Sequence, residues 1–369
     1  MQDIEPFQHH SPKKKKFNWL YNQPKVAKVG FLSALIIGFV SHIFIYTGRY
    51  FGCHDVGLYW STAPAVSSGR WLNRIINHLT YGYVMPLIIG LFVTLFLSLS
   101  TFYICKIFNI EKKSNAILIG SLLTTFPSIA FTNLYLYDSA NYHFGVILAV
   151  LAVYVTIRYK FGFILGAIFL MFTLAIYQSK FNIALVVCVY YLIHYVLSTN
   201  FSFKRMKVLV LRFSLLIVLA SLFYAISLPI SFHIYNTDFG GNRGFSPDSI
   251  RERILTISGF INELTRTYRE FFRSFAGDIY LVVNSLLYAY LILTVLAVVL
   301  VIYMIVEKKI YKQPMRLLLI LLLVCIIPFA SNFAGFLATD TYGVMIYSFV
   351  LLLVFYIILF EFVESMSTG

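Results

Sequence analysis

Negative charge is scarce in this chain. Of 369 residues only 15 are Asp or Glu, and all charged types together make up 12%, about half the share of a soluble domain. Hydrophobic types reach 60% and the mean hydropathy is +0.81. So much apolar surface cannot be hidden in a water-facing fold, so a soluble enzyme and a disordered chain are both excluded. Cysteine is sparse as well. The four are Cys53, Cys105, Cys188 and Cys325, and a disulfide-stapled secreted scaffold is excluded with them. No Walker loop, dinucleotide fingerprint, His-Glu-x-x-His, Cys-x-x-Cys or Gly-x-Ser-x-Gly occurs, which argues against an ATP-driven pump in a single chain. His42, His143 and His194 stand alone in the sequence and read as packing or hydrogen-bonding residues rather than metal ligands.

What the chain does have is long apolar runs. A helix needs about 20 mostly apolar residues to cross the hydrocarbon core. Ten stretches qualify, at roughly 26–46, 84–105, 115–136, 141–157, 161–177, 181–197, 208–234, 279–306, 316–336 and 343–363. They are continuously apolar rather than alternating, which excludes a β-barrel. The fold class is therefore an all-α polytopic membrane protein with about ten transmembrane helices. No charged residue falls in the middle of a run, which counts against a proton-coupled transporter or a voltage sensor.

Basic residues outnumber acidic ones 29 to 15, a net charge of +14. In a soluble protein this would raise nucleic acid as a partner. Here its distribution explains it. Residues 1–25, with Lys13 to Lys16, read as a cytoplasmic basic tail that can touch anionic lipid. With that tail inside, the other basic clusters, 106–113, 158–160, 204–212 and 308–316, fall on the same side. The orientation is N-in and C-in, and no nucleic acid is needed.

Two connections are long, about 47–83 and 235–278, and both fall outside. Long loops in compact proteins tend to carry function. The chain thus divides into the tail, a transmembrane module at 26–234, the outer loop 235–278 and a second transmembrane module at 279–369. The first loop carries His54-Asp55 and then Gly69-Arg70-Trp71-Leu72-Asn73-Arg74. Arg70, Arg74 and His78 are spaced i, i+4, i+8, one face of a helix. Trp71, Leu72, Ile75, Ile76 and Leu79 supply an apolar face, so the helix is expected to lie at the interface. A carboxylate beside a cationic ridge suits an anionic lipid: arginines hold its phosphate and the carboxylate accepts a proton. The same residues fit a plainer reading, with Arg70 and Arg74 snorkelling to headgroups and Asp55 paired to one of them.

In the second loop Ser246-Pro247 reads as a helix start. Apolar residues at 250, 254, 257, 261, 264, 268, 271 and 275 form one stripe, predicting an amphipathic helix over 247–275 that lies on the membrane or on the rest of the protein. Shorter outer connections carry Tyr137-Asp138-Ser139, Tyr177-Gln178-Ser179-Lys180 and Thr339-Asp340-Thr341. Asp138 fits a cap on the fourth span as readily as a catalytic group. Lys180 is a basic residue in a tight outer turn, against the charge bias.

Three of these features, in order, resemble the type II Gtr family of O-antigen glucosyltransferases: Asp55 followed by Gly69-Arg70, Tyr137-Asp138-Ser139, and Leu174-x-x-Tyr177-Gln178. The resemblance implies a GT-C-like enzyme in the bacterial inner membrane with its active site facing the periplasm. It implies transfer of a hexose, glucose first, from a polyprenyl-phosphate sugar to O-antigen or a related lipid-linked or lipopolysaccharide glycan. A flippase and a polyprenyl-phosphate sugar synthase are the implied functional partners. Asp55 and Asp138 are the expected catalytic carboxylates. Arg70, Arg74 and Lys180 are expected on the donor phosphate, and His54, Trp71, Tyr177 and Gln178 on the substrate. A monophosphate leaving group does not require a metal, so no cofactor is expected. The resemblance further implies an outer segment beyond 343–363, where this chain ends at Gly369. The competing classes are an O-antigen polymerase or ligase leaning on Arg243 to Arg273, a lipid-linked sugar transporter or flippase, and a membrane scaffold docking through 246–275.

Overall fold

The computed structural model describes residues 24–48, 63–79, 84–240, 247–275, 284–338, 341 and 343–367. The elements in chain order are α1 (Lys25–Ser41), α2 (Ile43–Thr47), α3 (Ala63–Ser67), α4 (Trp71–Leu79), α5 (Pro86–Ile107), α6 (Lys113–Thr125), α7 (Pro127–Asn133), α8 (Leu136–Arg158), α9 (Gly162–Ile176), α10 (Phe181–Leu197) and α11 (Phe203–Tyr235). They continue with α12 (Pro247–Ile254), α13 (Ile257–Phe275), α14 (Asn284–Glu307), α15 (Pro314–Ser331), α16 (Phe333–Leu337) and α17 (Val350–Ser367). No strand occurs among the described residues.

Each of the ten apolar runs holds helix, and among the described residues eight helices are long and apolar enough to cross a membrane. Two of the runs give helices shorter than a full crossing. The run at 26–46 breaks at His42, whose ring bonds the Thr124 carbonyl at 3.0 Å, leaving 17 and 5 residues in α1 and α2. The run at 161–177 yields only the 15 residues of α9, because Tyr177 turns to an extended conformation. At 1.5 Å per residue that is about 22 Å, against about 30 Å of hydrocarbon. The chain therefore turns early there, through a short 3₁₀ segment at Gln178–Lys180.

Proline sets several starts. Pro86, Pro127 and Pro314 stand at the first turn of α5, α7 and α15, where the missing N–H would be unpaired anyway. Helix α8 is enclosed by α5, α9 and α10, and α10 also packs on α15. These central helices are buried almost all round, through Val146, Val150, Val153, Val187 and Ile193 among others. Helices α11 and α14 are peripheral and expose Val218, Ile226, Val295, Val299 and Ile302. An exposed row of that kind suits lipid and not water.

The connections assigned to one side by charge gather at one end of the bundle. There Gln178 bonds Ser68, Gly240 bonds Ser67, Lys180 bonds Val344 and Arg253 bonds Ala338. At the other end the basic residues do more than mark orientation. The Arg316 guanidinium donates to Val196 O and Ser198 O, each at 2.7 Å, and the Lys308 ammonium to Leu197 O at 2.6 Å. Those carbonyls end α10 and have no partner within the helix. The Glu361 carboxylate of α17 likewise takes the backbone N–H groups of Glu111 and Lys112 and the Asn115 amide at the start of α6.

The stripe at 247–275 is not one helix. It breaks after Ile254, and the Thr256 hydroxyl accepts from the Gly259 N–H at 3.1 Å, capping the restart as α13.

Candidate active site

The site assembles where α4 meets the first turns of α8 and the Tyr177–Lys180 turn. Gly69 opens it. Its φ of +78° is a left-handed conformation, and a Cβ there would collide with the Tyr224 hydroxyl. Gly69 thus bends the chain from α3 into α4 while Tyr224 donates to its carbonyl at 3.1 Å. Gln178 donates to Ser68 O at 2.8 Å and to the Tyr224 hydroxyl at 3.0 Å, fastening the same bend to the turn after α9. Trp71 Nε1 donates to Ser227 Oγ at 3.0 Å, and its ring meets Phe172 edge-on.

Helix α4 buries polar side chains against the bundle. Its most buried side chains are not apolar. They are Asn73, 1% exposed, and Asn77, while Ile75 is exposed. Asn73 and Asn77, one turn apart, donate from Nδ2 to Asp138 Oδ1 at 2.7 and 2.9 Å. Their Oδ1 atoms both accept from Asn141 Nδ2, at 2.7 and 2.6 Å. The Tyr142 hydroxyl donates to Asp138 Oδ2 at 3.0 Å. Asp138 is therefore not the cap of α8. Tyr135 holds the cap position without a side-chain bond, and the Asp138 carboxylate faces α4. A carboxylate buried this deeply needs such donors, since an unpaired one would be expelled or neutralised.

Arg70 lies beside this ring of amides. Its guanidinium sits over the Tyr177 ring at 4.4 Å, and Tyr142 is stacked on Tyr177 with centroids 4.5 Å apart. Arg70 Nε is buried and has no hydrogen-bond partner. Burial opposes its charge, but Tyr142, Tyr177, Asp138 and Tyr137 outweigh that and hold its pKa above the ordinary arginine value. Arg70 is a charged, oriented donor with a valence to spare.

The other predicted cations are placed differently. Arg74 stacks on Tyr235 at 4.4 Å, a different ring from that under Arg70. Lys180 is 1% exposed, donates to Val344 O at 3.1 Å and faces the Tyr347 and Tyr177 rings at 5.3 and 5.8 Å. Thus Arg70, Trp71, Asp138, Tyr177, Gln178 and Lys180 are brought together, and Arg74 stands at the edge. His54 and Asp55 lie outside the described residues, as do Cys53, Arg243 and Asp340. The sequence reading passed over Asn73, Asn77, Asn141, Tyr142 and Tyr224. The signal was available in part: asparagines at i, i+4 in an apolar helix, and Asp138, Asn141 and Tyr142 at i, i+3, i+4 in the next.

Residues 54–360 match the family described as glucosyl transferase GtrII. The chain belongs to that family. It is accordingly a glucosyltransferase, with a sugar donor and a glycan acceptor. No curated relative and no solved structure matches it. The match begins at His54 and takes in the whole ring of α4, α8 and the 177–180 turn. The second outer-loop network lies within the match too. There Arg253 donates to Leu337 O and Ala338 O, at 2.6 and 3.0 Å. Arg266 bonds Glu263 and Glu270 as well as the Gly335 and Ala338 carbonyls. Glu270 in turn accepts from Thr341 at 2.6 Å.

Proposed function

We propose that this GtrII glucosyltransferase moves a hexose, glucose first, from a polyprenyl-phosphate sugar to O-antigen or a related surface glycan on the periplasmic face of the inner membrane. The observation that carries the reading is Arg70: a guanidinium fixed on Tyr177, with a buried and unpartnered Nε. Such a group is complementary to a phosphate oxygen, and its geometry is set before the ligand arrives. The prenyl tail of the donor would lie in the bilayer beside the exposed apolar rows, with its phosphate at the depth of Arg70.

In the reaction the acceptor hydroxyl oxygen attacks the anomeric carbon as the carbon–oxygen bond to phosphate breaks. The electron pair leaves on the polyprenyl phosphate, and the hydroxyl proton passes to Asp55. One displacement inverts the anomeric centre. Arg70 stabilises the charge that grows on the phosphate, and Arg74 reinforces it from the rim. Asp138, already holding three hydrogen bonds, serves as counter-charge to Arg70 and not as the base. Lys180, bonded to Val344 O, braces the floor of the site under Tyr177. Trp71, Tyr177, Gln178 and His54 border the sugar. A monophosphate leaves without a metal, so none is assigned, and a flippase and a polyprenyl-phosphate sugar synthase supply the donor.

The polymerase reading gives weight to the Arg243–Arg273 loop. Arg253 and Arg266 of that loop are bonded to glutamates and to backbone carbonyls, which leaves them poorly suited to hold a substrate anion. The test is glycan mass analysis of cells with and without the gene. One added hexose per repeat is expected. A change in chain length alone would favour a polymerase and overturn the transferase reading.

A further inference from the structure

The four side chains between α4 and α8 close a ring of hydrogen bonds, Asp138–Asn73–Asn141–Asn77 and back to Asp138. Only one arrangement of the amides satisfies it. A carboxylate can accept and not donate, so Asn73 and Asn77 must both turn Nδ2 toward Asp138. Both then present Oδ1 to Asn141, whose Nδ2 has two hydrogens and gives one to each. The ring is self-orienting, and all four members are buried. Turning any one amide would set a buried acceptor against an acceptor, a costly arrangement at low dielectric.

The ring also sits in a telling place. Arg70 stands three residues before Asn73, immediately ahead of α4. Its guanidinium is near enough to Asp138 to feel its charge, yet it forms no ion pair among the described residues. Asp138 is thus joined to Arg70 through Tyr142 and Tyr177, without using up the arginine's donors. The Tyr142 hydroxyl holds the far carboxylate oxygen while its ring stacks on Tyr177, the ring under Arg70. Ring, carboxylate, aromatic floor and arginine form one connected assembly.

We infer that Asn73, Asn77 and Asn141, with Tyr142, are positioning residues that hold Arg70 in the geometry that receives the donor phosphate, acting through the Asp138 carboxylate. This inference rests on the donor-phosphate role given to Arg70 above. They touch no substrate themselves. Apolar burial could have docked α4, but it would leave rotation about the helix axis loosely set, whereas the ring fixes it.

The experiment is binding of a short-chain prenyl monophosphate to the full-length protein in detergent, for Asn73→Ala, Arg70→Gln and the double variant. Asn73→Ala is expected to weaken binding about tenfold, Arg70→Gln more, and the double variant no further than Arg70→Gln alone, because coupled residues are not additive. If Asn73→Ala weakens the Arg70→Gln protein by the same factor as the native protein, or leaves the native protein unchanged, the inference is overturned while the role of Arg70 stands. If Arg70→Gln itself leaves prenyl phosphate binding unchanged, the donor-phosphate reading fails and the inference with it. Tyr142→Phe removes one bond from Asp138 and keeps the stack on Tyr177, so it covers the case in which Asn73→Ala does not fold. It is expected to weaken binding about threefold, again only when Arg70 is present.

Discussion

Two regions of this molecule set arginines beside carboxylates, and they do so to different ends. At α13 and α16 the charged groups satisfy one another: Arg266 bonds Glu263, Glu270 and two backbone carbonyls, and Glu270 also holds Thr341. At α4 and α8 the carboxylate is saturated by neutral amides, and the arginine beside it is left with a buried, unpartnered donor. A network that satisfies itself stabilises the fold. One that satisfies its anion with amides and keeps its cation in reserve is prepared for an outside anion. What differs between the two places is where the hydrogen bonds end.

The largest expected effect breaks the comparison most directly. Asp55→Asn and Arg70→Gln should each lower sugar transfer by about a hundredfold or more, without loss of protein from the membrane. Transfer that survives both changes would remove the first region from the chemistry. Arg70→Lys sharpens the point, since it keeps the charge and loses the planar stack on Tyr177. About a tenfold fall in kcat/KM is expected, and an unchanged value would reduce Arg70 to a point charge.

For the second region the prediction reverses. Arg266→Gln strips bonds from Glu263, Glu270 and two carbonyls, so it should lower stability by about 1–3 kcal/mol, read from thermal unfolding in detergent. Transfer per folded molecule should stay within about twofold of native. A selective loss of transfer at full stability would move the chemistry to α13. Gly69→Ala is milder on the other side: its left-handed φ and the Tyr224 hydroxyl in the path of a Cβ should cost about 1–3 kcal/mol of local strain, seen as a lower melting temperature together with weaker transfer. The smallest effect expected is none at all. Thorough chelation should leave the initial rate unchanged, and a rate lost to chelation and restored by a divalent ion would require a metal at the phosphate.

Much of the architecture was legible in the sequence because the bilayer imposes it. Apolar runs of sufficient length must become helices when no water is present to bond the backbone, and each of the ten holds helix among the described residues. The end of α9 was legible: the apolar run stops at 177 before a polar Gln178-Ser179-Lys180, and the helix ends at Ile176. The break between α12 and α13 was hidden by the regular stripe, although Thr256 with Gly259 carries a capping signal. In the site, Arg70, Asp138, Tyr177 and Gln178 stood out by type and position and were indeed gathered together. Asn73, Asn77 and Asn141 did not stand out, because a neutral amide in a loop helix has no distinctive chemistry until a buried carboxylate is found opposite it.

Composition and run length alone made this an all-helical membrane chain, and the order of a few short motifs placed it among the glucosyltransferases. Those properties are local or additive, and each can be read one segment at a time. The choice of which face of α4 is buried, the saturation of Asp138 and the spare donor on Arg70 belong to the tertiary structure. They depend on residues 65 positions apart, Asn73 and Asp138, meeting at 2.7 Å, and hydrogen-bond partnership over that separation is fixed only when the helices pack.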